Sequence, residues 1–415
     1  MKKYLHTADI LLPDFEKVDG TKWATIACDQ FTSEGEYWDN AESFVGEAPS
    51  ALRVILPEIY LNQRSERVKK INDTMLDYEK SLLISHKNSM IYLERTDSQG
   101  NLRRGLVGCI DLENYDYAVG AKPLIRATEG TVLERIPPRQ EVRKNASIEL
   151  PHVMLLIDDE KKEIIEKCTE MKDTFARAYD FPLMLGGGHV KGYFMTEEAI
   201  EYVQGGIEKL AENGGDNPLL FAVGDGNHSL ATAKAHYESI KAQYGDKAKE
   251  MAARYALCEV VNIHDASLEF EPIYRVVFGV DANEMLTELS AYAEKISKSG
   301  DCSEYPAQCV HYIHKDGEGD IKFACGSHSL TVGTLQKFLD EYVRTHAECE
   351  VDYIHGVDSL TSLARRDNAI GFLFDGMEKK DLFPAVERDG ALPRKTFSMG
   401  EARDKRYYIE SRKIL

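Results

Sequence analysis

The sequence lacks the usual marks of a secreted or membrane-spanning protein. No apolar run approaches the roughly 18 residues that a bilayer span requires. The opening Met-Lys-Lys leads into polar residues and Asp9, where a signal peptide would have an apolar stretch. The eight cysteines include no CxxC pair, which excludes a zinc-ribbon pattern and is typical of reduced, mostly buried thiols. We therefore expect a cytoplasmic protein without a membrane partner.

Positive charge is also scarce. The 415 residues carry 51 Lys and Arg against 70 Asp and Glu, which gives a formal net charge of −19 at pH 7. Affinity for nucleic acids and for anionic membrane surfaces depends on basic residues, so the composition argues against both as partners. With 43% hydrophobic and 29% charged residues, the chain has the composition of an ordinary globular protein and the length of two or three domains.

The strongest candidate for a functional site is the segment 218–244. Its apolar run from Pro218 to Val223 is typical of a buried strand. After Gly-Asp-Gly-Asn-His-Ser at 224–229, apolar residues recur at spacings of three and four, as on the inner face of an amphipathic helix. A strand, a glycine turn and a helix in this order bring free backbone N–H groups and the positive end of a helix dipole to one point. The segment therefore predicts an anion site.

The side chains of this turn divide into two candidate groups. The candidate phosphate-binding residues are Gly224, Gly226, Asn227 and Ser229. The candidate catalytic residues are Asp225, which can orient a nucleophile or hold Mg²⁺, and His228, whose unperturbed pKa near neutrality suits proton transfer. The alternative stays open that Asp225 and Asn227 are ordinary turn and N-cap residues and that His228 is a surface histidine.

Two further segments supply polar candidates. Asp29 follows a short strand candidate at 23–27, a position that often lines a site in α/β proteins, although it also fits the N-cap of a helix that begins near Thr32. The stretch 125–150 is net-basic within a strongly acidic chain and is a candidate surface for an anion. From it we select Arg135, because a guanidinium can clamp a phosphate or a carboxylate bidentately. The alternative is a solvated loop and helix whose charges pair among themselves.

The order of predicted elements indicates a mixed fold, α/β with an α+β part. The first part holds helices over 64–83 and 161–179, a hairpin over 90–112 and a strand over 152–157. From about residue 276 strands and helices alternate anew, beginning with a helix capped by Asp281. We therefore predict an α/β core over 1–275 and an α+β subdomain over 276–415.

Four segments of the chain resemble motifs of one bacterial family, catalogued as domain of unknown function 1015. Asp-Gly-Asn-His-Ser at 225–229 resembles its Asp-Gly-His-His-Arg signature, and Thr-Glu-Gly-Thr at 128–131 resembles its His-Glu-x-Thr. Leu-Glu-Phe-Glu-Pro-Ile-Tyr-Arg at 268–275 is similar to its Leu…Pro-x-His-Arg stretch, and Leu-Pro-Arg-Lys-Thr at 392–396 to its Met-Pro-x-Lys-Ser/Thr segment. The motifs follow the family's order and span almost the whole chain.

The resemblance implies roles for residues that the bare pattern does not select. It implies that Glu129 contacts substrate and that Arg275 contacts phosphate or substrate, because both match the family's motifs. Lys395 and Thr396 also match, and Arg394 stands beside them as a second cation. A role for this tail, 392–398, is to bring its charge back over the phosphate turn. Asp29 resembles the acidic position of the family's Pro-Tyr-Asp segment.

A more distant likeness concerns the signature at the helix N-terminus. Asp-Gly-His-His-Arg is also similar to the phosphate-binding motif of the ParB and sulfiredoxin superfamily, which includes archaeal free-serine kinases. This likeness implies a ParB/sulfiredoxin-like nucleotide-binding core, ATP or ADP with Mg²⁺ as cofactors, and an early acidic residue, here Asp29, as base. The chain departs from the motif because Asn227 replaces the first His and Ser229 replaces the Arg, so a bidentate phosphate grip is lost.

Two functions follow from these observations. The first is a nucleotide-dependent phosphotransferase or phosphohydrolase that acts on a small hydroxyl metabolite or its phosphoester, with an amino acid such as serine, or phosphoserine, as the leading substrate. The second is a non-catalytic regulatory protein that binds a nucleotide or metabolite, favoured by the replacements at Asn227 and Ser229. A metal-dependent hydrolase finds no support in an HExxH or similar cluster. The sequence does not identify metal ligands. It also leaves the oligomeric state open, with a homodimer among the alternatives.

Overall fold

The computed structural model describes residues 2–118, 120–215, 217–299 and 302–414, to which every count below refers. The chain forms two compact units, the first made of Met1–Leu268 with Glu401–Leu415 and the second of Glu269–Gly400. The sequence placed the boundary near residue 275 and assigned the whole C-terminus to the second part. The structure instead assigns 401–415 to the first unit, because this segment supplies two short strands that pair there. Two-residue strands leave no period in a sequence.

The described residues form ten α-helices, none with the length and apolar character that a bilayer crossing demands. The helices are α1 (Gly20–Trp23), α2 (Gly35–Val45), α3 (Arg64–Ser81), α4 (Ile136–Arg143), α5 (Glu197–Asn213), α6 (Asn227–Tyr244), α7 (Ala282–Ser299), α8 (Thr331–Thr345), α9 (Val357–Ala364) and α10 (Leu382–Asp389). The strands are β1 (Ala8–Pro13), β2 (Thr25–Ile26), β3 (Leu83–Ser89), β4 (Ile91–Thr96), β5 (Leu102–Asp111), β6 (Tyr115–Asp116), β7 (Ile125–Ala127), β8 (Ile148–Glu149), β9 (Met154–Ile157), β10 (Ala176–Pro182), β11 (His189–Phe194), β12 (Phe221–Asp225), β13 (Tyr255–Asn262), β14 (Phe270–Phe278), β15 (Gln308–His314), β16 (Gly317–Phe323), β17 (Glu350–His355), β18 (Ala369–Leu373), β19 (Phe397–Met399), β20 (Tyr407–Tyr408) and β21 (Arg412–Lys413).

A mixed sheet organises the first unit. Its strands follow the order β10-β11-β4-β5-β13-β9-β12-β7-β6. β12 runs antiparallel to β9 and parallel to β7, whereas β13 runs parallel to β9. The apolar faces of α5 and α6 join buried residues of β9, β12 and β13 in one hydrophobic cluster. The sheet with its helices confirms the mixed α/β fold class, and β4 and β5 confirm the predicted hairpin.

The segment 161–179 does not form the predicted helix, so this prediction is wrong. It forms short 3₁₀ turns at Glu166–Glu170 and Lys172–Thr174 and then enters β10. Lys162 has a φ of 57°, outside the helical region. The Asp159 carboxylate accepts from the Ile164 N–H at 2.8 Å, a side-chain bond that offers the backbone an alternative to a helical turn. Local side-chain hydrogen bonds thus override the helical period.

The second unit contains a six-stranded sheet, in which β16-β15-β18-β14-β17 follow one another and β19 pairs with β14. The predicted cap is confirmed, since Asp281 Oδ1 accepts from the N–H groups of Asn283 at 2.9 Å and Glu284 at 3.1 Å. The expectation that all thiols are reduced is corrected, because Cys302 and Cys325 form a disulfide with a Cα–Cα distance of 4.8 Å. The fold brings together two cysteines whose spacing in the sequence carries no pairing signal.

Candidate functional site

The turn between β12 and α6 has the backbone of an anion site. Gly226 is the N-cap of α6 with φ 79° and ψ 27°, a left-handed conformation that favours glycine. A Cβ there would lie 3.0 Å from Val153 Cα, so the turn packs closely against the residue before β9. α6 has no capping side chain and no acidic residue in its first turn. Its first N–H groups and the positive end of its dipole therefore suit an anion.

Two side chains of the turn extend this polar surface. Asp225 Oδ1 accepts from the Gly226 N–H at 2.8 Å, which fixes the carboxylate beside the helix N-terminus. Asn227 Oδ1 is buried, and no donor for it is found in the described part of the chain. A buried acceptor without a donor loses the hydrogen bond that water would give it, so a ligand hydroxyl or amine would be stabilised there.

A buried histidine that sequence reasoning missed, His152, bridges two distant segments. Its Nε2 lies 3.3 Å from Asp29 Oδ2 and its Nδ1 lies 2.7 Å from the hydroxyl of Tyr408. Asp29 Oδ1 accepts from the Gln30 side-chain amide at 3.0 Å. The sequence offered one signal for His152, a polar residue between Pro151 and an apolar run. Asp29 is thereby held by the ring of His152.

The charges of this pair support each other. Burial by itself raises the pKa of Asp29, but the charge and hydrogen bond of His152, with help from the Gln30 amide and Lys405, outweigh burial and set the pKa below its usual range. Burial by itself lowers the pKa of His152, but nearby carboxylates, first Asp29, outweigh it and raise that pKa. The lowered pKa keeps Asp29 ionised at neutral pH, with its carboxylate beside His152 Nε2.

We expect this pair to make stability depend on pH. The lowered pKa of Asp29 gives a contribution that is present above about 3.9 and is lost as the pH falls through the folded value. The raised pKa of His152 gives a contribution that is present below about 6.5 and is lost as the pH rises through the folded value. The loss of unfolding free energy in Asp29→Asn should therefore be largest between about pH 4 and about pH 6.5.

Chemical denaturation of wild type and Asp29→Asn at about pH 5, 7 and 9 measures this dependence. Asp246→Asn is the control, because Asp246 is exposed and pairs with Lys249 at 2.8 Å, with no histidine in that pair. Its small effect should stay constant over the same range. An effect of Asp29→Asn that is also constant from about pH 5 to about pH 9 would contradict the coupling to His152.

Lys405 joins Asp225 to the same charge cluster. Its Nζ lies 3.6 Å from Asp225 Oδ2, and both side chains are largely buried. The Lys405 ammonium also contributes to the low pKa of Asp29. Lys405 belongs to the C-terminal segment 401–415, which sequence reasoning did not connect with the site. One cation thus acts on both predicted catalytic carboxylates.

The loop 128–135 carries Glu129 and Arg135 along the end of β12. The Thr128 hydroxyl donates to the Val223 carbonyl at 2.6 Å, which ties the loop to the strand. Glu129 is half-buried directly after Thr128, and Arg135 is exposed. The loop then reaches the first turn of α6, because the Val132 N–H donates to a histidine there.

That histidine is His228, and it is neutral at pH 7. Burial, then the charges of Arg139 and Arg135, lowers its pKa to about 4. Nε2 accepts from the Val132 N–H at 3.3 Å, so the proton of the neutral ring resides on Nδ1. Arg139 also pairs with Glu58 and donates to the Arg135 carbonyl at 2.7 Å. His228 is therefore a hydrogen-bond donor beside two guanidinium groups.

The remaining predicted residues lie in the second unit, where the three cationic ones surround the ring of Tyr353. Arg275 is fully buried and donates to the carbonyls of Lys395 at 3.0 Å and Arg394 at 3.1 Å. Arg394 Nε donates to the Tyr353 hydroxyl at 2.7 Å, and Lys395 Nζ lies 5.3 Å from the ring centre. The Thr396 hydroxyl donates to a backbone carbonyl at 2.6 Å. These contacts lie within the second unit, and the predicted phosphate contacts of the four residues stay a prediction.

Comparison with solved structures finds remote likenesses. A free serine kinase in complex with AMP matches with 12% identity and a TM-score of 0.38, over 72% of this chain and 90% of that chain. A conserved hypothetical protein from Pyrococcus furiosus matches with 12% identity and a TM-score of 0.36, over 73% and 93%. SbnI from Staphylococcus aureus, truncated at its C-terminus, matches with 11% identity and a TM-score of 0.33, over 71% and 82%.

Sequence comparison identifies the family of the chain but no individual curated relative. No curated protein matches the chain. The family model described as "Protein of unknown function (DUF1015)" matches residues 13–349, which is more than half of the 415 residues. The chain belongs to this family, which confirms the predicted resemblance; three of the four motifs lie within the matched residues, and the motif at 392–396 lies beyond them.

Proposed function

We propose that the first unit binds a phosphate-bearing small molecule at the N-terminus of α6, with ATP or ADP as nucleotide, and transfers or hydrolyses a phosphoryl group. The observation that carries the proposal is the grouping of acids, bases and cations around one uncapped helix N-terminus. The group consists of Asp29, Asp225, His152, His228, Lys405, Arg135 and Arg139. Phosphoryl transfer needs charge neutralisation, a positioned nucleophile and a proton acceptor, and this group contains a candidate for each.

Phosphate binding is assigned to the helix end and to the cations beside it. The backbone N–H groups of residues 227–229 would donate to phosphate oxygens, as helix N-termini do for many anions. Neutral His228 would add a hydrogen bond from Nδ1, and Arg135 and Arg139 would neutralise charge. Ser229 stands where an Arg would supply a bidentate grip, so these two guanidinium groups from the preceding loop and α4 take over its charge.

We assign proton transfer in the chemical step to the Asp225 carboxylate and a supporting role to the Asp29 carboxylate. The oxygen of an acceptor hydroxyl or of water forms a bond to phosphorus, while the bond to the leaving oxygen breaks and its electron pair stays on that oxygen. The proton of the attacking O–H passes to the Asp225 carboxylate, which Lys405 and the Gly226 N–H hold in place. Asp29 stays ionised because of its low pKa and holds the ring of His152 in place.

Asp29 and Asp225 are also the residues that would hold Mg²⁺. Carboxylate oxygens suit this ion, which commonly takes one or two carboxylates together with substrate phosphates. When bound, the ion would neutralise charge on the phosphate oxygens. Within the ranges that the structure describes, the one group of three clustered metal-binding side chains is Glu284, Glu288 and His346 in the second unit, and nothing connects it with this step.

A charge placed in the first turn of α6 tests the binding site. We expect Ser229→Asp to weaken the binding of ADP at least about tenfold, because two like charges about 4 Å apart repel by a few kcal/mol near a protein surface. The same carboxylate should leave the fold intact, since acidic residues at a helix N-terminus are stabilising. Isothermal titration with ADP and thermal unfolding measure the two effects on the same variant.

The matched control is Ser239→Asp, an identical change at an exposed position of the same helix, where the side chain donates to the Ala235 carbonyl. It should leave ADP affinity unchanged. Absence of binding of ATP, ADP and inorganic phosphate to wild type would overturn the proposal. Binding without transfer to serine or water, and without hydrolysis of phosphoserine, would favour the regulatory protein over the enzyme.

A further inference from the structure

A second feature adjoins the charge cluster, an apolar cavity of about 150 Å³ within the first unit. It shares His152 and Ser229 with the proposed phosphate site. Most of its lining is aliphatic and comes from the segment 54–61, α3, α4 and the loop that leads to β9. These aliphatic residues are Val54, Ile55, Leu56, Leu61, Met75, Val142, Ala146, Ile148, Leu150 and Pro151.

Most charged groups at the cavity already have a partner, and Arg143 Nε is the one buried side-chain donor of the lining without an acceptor among the described residues. Arg139 pairs with Glu58, and Arg143 pairs with Glu149. The Cys28 thiol adds no charge, because burial, reinforced by Asp29, raises its pKa to about 12. An amino acid bound here would need an anion for its ammonium group and a cation for its carboxylate, but Glu58 and Glu149 already pair with these arginines, and Arg139 is assigned to the phosphate. A buried unpaired charge is strongly disfavoured, so the cavity disfavours such a ligand.

We infer that the molecule whose phosphate lies at the N-terminus of α6 carries an apolar group, a branched aliphatic chain or a hydrocarbon ring, and that this group fills the cavity. A cavity of this size with aliphatic walls holds a benzene-sized guest. Filling it restores the dispersion contacts that its lining otherwise lacks. This inference rests on the proposed function and narrows its substrate class from serine-like metabolites to phosphate esters of apolar alcohols, or those alcohols as acceptors.

Phosphate esters of apolar alcohols, and the alcohols themselves, are also suitable reactants for the proposed phosphoryl transfer. In hydrolysis, water would bond to phosphorus and the P–O bond to the apolar alcohol would break, with the proton that Asp225 takes from water passing to the leaving oxygen. In phosphorylation, the hydroxyl of the alcohol would attack the terminal phosphorus of ATP, its proton would pass to Asp225, and ADP would leave. His152 and Ser229 line both cavity and turn, so the C–O–P linkage would sit between them. The adenine of a nucleotide would bury several hydrogen-bonding atoms against a mostly aliphatic lining, where Arg143 Nε alone could offer a free buried side-chain donor among the described residues.

Competition binding on the full chain tests the inference. The probes are inorganic phosphate, phosphoserine, AMP, phenyl phosphate and 3-methylbutyl phosphate. We expect the last two to bind at least about tenfold more tightly than inorganic phosphate, since each buried methylene adds to affinity. Phosphoserine should gain nothing over inorganic phosphate. Tighter binding of phosphoserine or AMP than of both apolar esters would overturn the inference.

Ala146→Leu provides the matched variant, because Ala146 is a buried lining residue outside the proposed catalytic group. Filling the cavity should abolish the advantage of the two apolar esters and leave the affinity for inorganic phosphate unchanged, which also shows that the variant is folded. If wild type binds inorganic phosphate but the apolar esters gain nothing, the inference fails and the proposed function stands. If no probe binds, both fail.

Discussion

Replacing Arg406 by Met is expected to lower the free energy of unfolding by about 3–5 kcal/mol. Arg406 donates to Glu259 Oε2 at 2.5 Å and to Glu410 Oε2 at 2.7 Å, and the three side chains are at most 4% exposed. Met has a similar length and adapts to irregular spaces, so the change removes charge more than volume. Glu410 would then lose its counter-ion, and Glu259 would keep Arg103, at 3.3 Å. Leaving a buried carboxylate uncompensated costs more than the intact pair contributes to stability.

A surface pair of similar geometry gives the control. Arg64 lies 2.7 Å from Glu141, and both side chains are more than a third exposed. Arg64→Met should change stability by at most about 1 kcal/mol. Adding Glu410→Gln to Arg406→Met should recover part of the loss, because the charge of Glu410 disappears. Equal effects of Arg406→Met and Arg64→Met in chemical denaturation would contradict the argument.

The Arg406 ion pairs also bear on the proposed site. Lys405 and Tyr408 lie within two residues of Arg406 in the C-terminal segment. Lys405 contacts Asp225, and Tyr408 contacts His152. Glu259 lies in β13, near the middle of the large sheet. Anchoring Arg406 to that strand therefore fixes the backbone from which Lys405 and Tyr408 extend. Loss of the anchor should disturb the charge cluster as well as the fold.

The local part of the candidate site could be predicted from sequence. An apolar run, two glycines and a helical period specify β12, the turn and α6, because each depends on neighbours within a few residues. The conformation of Gly226 follows from the same pattern, since a strand that passes at once into a helix needs an abrupt turn. Asp225 and His228 could be predicted as candidate site residues because they lie in this turn.

The long-range part of the site could not be predicted in this way. His152 and Tyr408 are 256 residues apart, and Lys405 reaches Asp225 from beyond the second unit's sequence. No periodicity connects residues at such distances, and the two-residue strand β20 gives no pattern of its own. The family motif drew attention to Arg275 instead, which donates to the Gln336 side chain and to backbone carbonyls of its own unit.

The largest effect on turnover is expected for Asp225→Asn. If Asp225 accepts the proton of the attacking hydroxyl, the amide cannot do so, and the turnover number should fall by about 10²–10⁴-fold. The amide oxygen can still accept from the Gly226 N–H, so the turn should keep its shape. Affinity for ADP without Mg²⁺ should not fall, because a negative charge beside the phosphates has been removed.

Two measurements on one variant separate a catalytic role of Asp225 from a structural one. Turnover is followed as release of ADP or phosphate, and ADP affinity is followed by titration in chelator, where Asp225 cannot act through Mg²⁺. Asp246→Asn, the same change at an exposed position beyond the far end of α6, should alter neither quantity. Lost turnover with retained affinity assigns Asp225 to the chemical step. Equal loss of both would point to a collapsed turn, and unchanged turnover would exclude Asp225 as the proton acceptor.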